Sequence, residues 1–93
     1  MPIVQMQRIL DHALRNRYAV GYFEAWDLYS LEAALEAAEE ARAPAILGFG
    51  AAVTNGAWYD RSGVEAMSAL AVTLAQRAAV PAAVLFNEAQ TYA

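Results

Sequence analysis

The stretch "PAILGFG", residues 44–50, decides the fold. Pro44 has no N–H and pushes Ala43 out of helical geometry, so a helix must end there. Ala45 to Phe49 is then apolar on both faces. A strand with one wet face alternates apolar and polar residues. One that is apolar throughout belongs to a parallel sheet covered by helices. The neighbouring segments must supply those helices and the other strands.

Backwards from Pro44, the residues Leu28, Leu31, Ala34, Leu35, Ala38 and Ala41 recur at helical spacing, and Asp27 is placed to cap them. Glu32, Glu36, Glu39 and Glu40 fall mostly on the other side, which reads as a solvated acidic face. Before this helix, "YAVGYF" (18–23) is aromatic and branched, hence a first strand. Met6, Ile9, Leu10, Ala13 and Leu14 predict an amphipathic helix over about residues 5–15, ended by Arg15, Asn16 and Arg17. His12 lies off that stripe and reads as a surface residue.

Forwards, "GAAVTNGAWYD" (50–60) predicts a loop with two glycines. Trp58 and Tyr59, like Trp26, read as aromatics packing over the end of the sheet. Asp60 and Arg61 frame a helix start, and Ser62-Gly63-Val64-Glu65 fits a capping box. Val64, Met67, Leu70, Ala71, Leu74 and Ala78 then predict a helix to about residue 79. Pro81 marks the turn into a third strand, 82–86. The result is an α/β fold, a leading helix followed by β-α-β-α-β. Right-handed crossovers make the three strands parallel neighbours in order 1-2-3.

The 93 residues form one domain, 1–93. A net charge of −4 with no Lys/Arg block speaks against nucleic-acid binding. Cysteine is absent, which rules out disulfides and thiolate metal sites. No run approaches the roughly 18 apolar residues of a membrane span, and the start lacks an apolar signal core. A cytoplasmic protein is expected. The hydrophobic fraction is 59%, with 23 alanines. That is more apolar surface than a chain this short easily hides. A homo-oligomer, or a place within a larger barrel, is therefore expected.

Three pieces carry a family resemblance: "MPIVQMQRILDHALRNRYAVGYF" (1–23), "LEAALEAAEEARAPAILGF" (31–49) and "VPAAVLFNEAQTY" (80–92). In order and spacing they resemble the N-terminal third of the class II fructose-bisphosphate and tagatose-bisphosphate aldolases. The resemblance implies a partial (β/α)8 TIM barrel. It also implies zinc as the family's metal and aldol cleavage of a sugar phosphate as its reaction. In such barrels the chemistry sits where the strands end. Here those ends are Glu24, Gly50, and Asn87 with Glu88.

The departures lie at these same positions. The family's first strand ends in Asn, and this chain has Glu24; the second usually ends in Ser, and this chain has Gly50. The family's third strand carries a catalytic Asp and a zinc-binding His, replaced by Asn87 and Glu88; a preceding His is Leu85. Asn87 cannot exchange a proton at neutral pH and so cannot act as the family's acid/base. Glu88 is a candidate metal ligand, and a Glu24–Glu88 pair suits Mg²⁺ or Mn²⁺ better than zinc. Glu24 and Gly50 are candidate substrate-binding positions. For these residues, capping of strand ends is the alternative to a ligand role. Two functional readings follow. One is an aldolase-like lyase, divergent or inactive as this chain alone. The other is a non-catalytic oligomeric scaffold, or a small-ligand or metal-binding domain, on a truncated barrel.

Overall fold

The computed structural model describes residues 3–50, 57 and 59–87, with only the backbone of Tyr59 and Asp60. In chain order the elements are helix α1 (Met6–Asn16), strand β1 (Tyr22–Glu24), helix α2 (Leu28–Ala41), strand β2 (Ala45–Gly50), helix α3 (Val64–Arg77) and strand β3 (Ala82–Asn87). The strands form one sheet in the order β1-β2-β3, and both pairings are parallel. This is the arrangement that Pro44 and the apolar run after it predict.

Register divides the side chains between two faces. On one face Ala45, Leu47, Phe49 and Ala82 bury against Leu31, Leu35 and Ala38 of α2 and against Ala71 and Ala75 of α3. Alanine on the helices lets them lie close to the sheet. Phe49 and Phe86 stack there, with ring centroids 6.4 Å apart. On the other face Ile46 and Ala83 pack with Ile9 of α1, flanked by Val4, Val20, Tyr22 and Leu85. Ile46 and Ala83 are each the second residue of their strand, so α1 covers this face only where the strands begin. The segment before α1 is tied to the same end. Val4 N–H donates to the Ala82 carbonyl at 2.9 Å, and Ile3 bridges Ala82 in parallel. The outer edge of β3 thus has a partner at its first residue.

Asp27 caps α2 as expected, in a reciprocal box closed by a serine. Ser30 N–H donates to Asp27 Oδ1 at 2.8 Å, and Asp27 N–H donates to Ser30 Oγ at 3.0 Å. The Ser30 backbone donor, followed by its hydroxyl, holds the Asp27 carboxyl below 3.8.

Local structure departs from expectation in three places. "YAVGYF" is not a strand throughout: the ladder strand is only Tyr22–Glu24. Arg17 caps α1 in the left-handed region, φ 58°, and Tyr18 N–H still donates to Ala13 at 3.1 Å. The chain is therefore still leaving the helix when the aromatic run starts. Ser62 does not form a capping box. A π-helical turn, Tyr59–Gly63, runs into α3, and Gly63 at the N-cap is already helical, with no side-chain cap bond. A capping side chain needs an extended backbone, which this turn does not provide. Glu39 is not simply solvated: its Oε2 accepts from Ala79 N–H at 2.7 Å, fastening α2 to the turn before β3.

Among the described residues, no helix is long and apolar enough to cross a membrane.

Candidate functional site

The face that α1 leaves open changes character along the strands. Tyr22 pairs with Ile46, and Ile46 with Ala83; Glu24 pairs with Gly48, and Gly48 with Leu85; Gly50 pairs with Asn87. Alternation puts Tyr22 and Glu24 on one face, together with Gly48, Gly50, Leu85 and Asn87. The start of this face is apolar and covered by α1. Its far end carries a carboxylate, an amide and a phenol.

These three groups meet across β2. Glu24 Oε1 accepts from Tyr22 Oη at 3.1 Å, and Asn87 Nδ2 donates to the same oxygen at 3.5 Å, a long contact. Tyr22 Oη also lies 3.5 Å from the Phe49 carbonyl. Two glycines make this crossing possible. A Cβ on Gly50 would stand 2.8 Å from Glu24 Cδ and against Oε1. A Cβ on Gly48 would strike the Leu85 carbonyl and come 3.2 Å from Tyr22 Cε1. The middle strand is thus a trough. The long side chains of β1 lie along it and reach the tip of β3.

The strand-tip residues expected to share an edge do so. Glu24, Gly50 and Asn87 converge, and Gly50 has a specific reason to be glycine: it makes room for the Glu24 carboxylate. Glu88 lies outside the described residues, as does Trp58, and the side chain of Tyr59 is not described. Trp26, expected to pack over the sheet end, is instead 70% exposed. The Asp27–Ser30 box accounts for this, because Trp26 N–H donates to Ser30 Oγ at 2.8 Å and the chain is already turning into α2. Tyr22 is the residue that sequence reasoning missed. It sits inside an aromatic run that reads as core. The available signal was its position two residues before Glu24, which puts both on one face.

The donor set decides which ligands suit this edge. A carboxylate with an amide offers hydrogen-bond acceptors and donors to hydroxyl groups. Zinc takes histidine nitrogen, thiolate and carboxylate, with three or four ligands. The described part of this edge supplies one carboxylate and no imidazole. Among the described residues no group of three or more His, Asp or Glu side chains is placed to hold a metal. His12 is at the opposite end of the sheet, beside Pro44 and Pro81. These residues do not fit the zinc site that the resemblance implies.

Comparison with known proteins gives a consistent result. A family model described as fructose-bisphosphate aldolase class-II matches residues 4–91. The chain is 33% identical over 94 residues to a probable fructose-bisphosphate aldolase of Bacillus subtilis (strain 168), covering 99% of this chain and 32% of that protein. It is 38% identical over 84 residues to a fructose-bisphosphate aldolase of Thermus caldophilus, covering 90% of this chain and 26% of that protein. The chain therefore spans about a third or less of the length of these relatives.

Proposed function

The chain belongs to the class II fructose-bisphosphate aldolase family, and from that premise we propose that its strand-end edge binds a sugar phosphate through the sugar hydroxyls without cleaving it. In this reading the three strands are the first sector of a (β/α)8 barrel, completed by further chain or by other subunits. The observation that carries it is the meeting of Glu24 and Asn87 over Gly50, at the strand ends where such barrels bind ligands.

Each residue has a definable part. The Glu24 carboxylate accepts hydrogen bonds from two ligand hydroxyls, replacing the long bond from Asn87. Asn87 then turns its amide to the ligand, with Nδ2 as donor and Oδ1 as acceptor. Tyr22 holds Glu24 Oε1 in place across the trough. Asn87, at the position of the family's acid/base, does not support aldol cleavage. That reaction needs a base to move the proton of the substrate's hydroxyl, and an amide does not exchange a proton at neutral pH. Family kinship leaves this chemistry open wherever the site has changed.

Thermal denaturation with added fructose 1,6-bisphosphate tests the reading. A ligand present at about 100 times its Kd stabilises the folded state by about 2.7 kcal/mol. That rise in Tm is expected for the native sequence and should be largely lost in Glu24→Gln, which keeps the shape and removes the charge. An equal rise in both proteins would refute the site.

A second reading, the oligomeric scaffold, draws support from the outer edge of β1, beside which no strand lies among the described residues. Phe23 is 48% exposed beside a groove of about 260 Å³ between β1 and the alanine face of α2. A neighbouring copy or a further segment of chain would cover that edge.

A further inference from the structure

A second opening lies at the other end of the sheet, where the strands begin. Its volume is about 170 Å³, and Val4, Ile9, Pro44 and Pro81 make its apolar wall. Arg8, His12 and Tyr18 complete the lining. A cavity of about 150 Å³ takes a benzene ring, so the size suits one planar ring with a small substituent.

The polar groups are placed by α1. Arg8 and His12 are four residues apart, so they project from the same side of the helix. Tyr18, just past the C-cap, fixes the His12 ring: Tyr18 Oη lies 2.7 Å from His12 Nδ1, and the two rings meet edge-on with centroids 5.7 Å apart. With Tyr18 donating to Nδ1, a neutral His12 carries its proton on Nε2 and presents a donor there. Among the described residues, the Arg8 guanidinium makes no ion pair or side-chain hydrogen bond. The nearest acid on its helix, Asp11, is held by Gln7 Nε2 at 2.8 Å.

We propose that this cavity binds a small monocarboxylate with a planar apolar body. The carboxylate sits on the Arg8 guanidinium, whose planar fork matches it, with His12 as a second donor. The ring lies against Ile9, Val4 and the two prolines, and its edge meets Tyr18. The site is at the opposite end of the strands from Glu24 and Asn87, and it stands whether or not that edge binds a sugar.

Benzoate is the probe, and benzyl alcohol, one oxygen smaller, is the neutral control. Each is titrated into ¹⁵N-labelled protein while the amide resonances are followed. Benzoate is expected to shift the amides of Val4, Arg8, Ile9, His12 and Tyr18 saturably, with a Kd of about 1 mM, as befits so few atoms. Benzyl alcohol is expected to bind about tenfold more weakly. Arg8→Ala should weaken benzoate about tenfold and leave benzyl alcohol unchanged; Arg8→Lys, which keeps the charge without the fork, should fall between. Arg8 is exposed, so the rest of the spectrum should be preserved in both variants. Equal affinity for the two probes, unchanged benzoate binding in Arg8→Ala, or shifts scattered over the molecule would overturn the proposal.

Discussion

At the scale of the residue, two glycines on one strand face have different reasons to lack a side chain. A Cβ at Gly48 meets the Leu85 carbonyl, which is backbone and cannot give way. A Cβ at Gly50 meets the end of the Glu24 side chain, which can swing aside. Gly48→Ala is therefore expected to cost about 1–3 kcal/mol, the usual penalty for overpacking, measured by urea denaturation. Gly50→Ala should cost well under about 1 kcal/mol, yet remove the sugar-phosphate effect as fully as Glu24→Gln does. Similar losses of stability in the two variants would contradict this account of the trough. The sequence exposes part of this site. Glu24 and Asn87 can be found because polar residues at the tips of apolar strands are conspicuous. Tyr22 is not, since an aromatic in an apolar run looks like core until its partner two residues on is known to face the same way.

At the scale of the element, the helices were readable from their apolar spacing, although Leu14, Leu28 and Val64 of those stripes are exposed. Short-range hydrogen bonds decided the rest. The left-handed turn at Arg17 shortened β1, and the π-helical turn at Gly63 replaced the Ser62 box. Neither follows from hydrophobic spacing. The Asp27 cap of α2 does follow from residue type, and it carries a pH signature. Ser30 lowers the Asp27 pKa below 3.8 in the folded protein. A carboxylate depressed on folding contributes stability above its unfolded pKa, and that contribution is lost as pH falls through the lower folded value. The expected result is that the native protein's advantage over Asp27→Asn, which still caps, shrinks steadily as pH falls below the usual carboxylate range. Asp27→Ala should melt lower at pH 7. If the native protein's advantage over Asp27→Asn grew on acidification below pH 3.8, the sign would be wrong and the assignment refuted.

At the scale of the whole molecule, parallel order β1-β2-β3 was legible from Pro44, the apolar second strand and the helices between. The way α1 divides the open face was not, because it depends on which end of the sheet α1 packs against. That division puts an apolar floor at one end and the polar cluster at the other. Among the described residues no strand lies beside the outer edge of β1; Phe23 lines the groove there, and elsewhere on the surface Leu14, Trp26 and Tyr29 are each at least 70% exposed. An open strand edge next to apolar surface favours association. Light scattering on a sizing column is expected to give a discrete mass above that of one 10.0 kDa chain; a monomer with a cooperative melt would remove the scaffold reading. The strand-end edge is proposed to hold a sugar phosphate while Asn87 stands in place of the family's acid/base. The most direct test is a ³¹P spectrum of fructose 1,6-bisphosphate incubated with the protein. Shifted or broadened ligand resonances that persist without any triose phosphate signal are expected. Triose phosphate appearing in proportion to protein, or resonances identical to those of the free sugar phosphate, would contradict it.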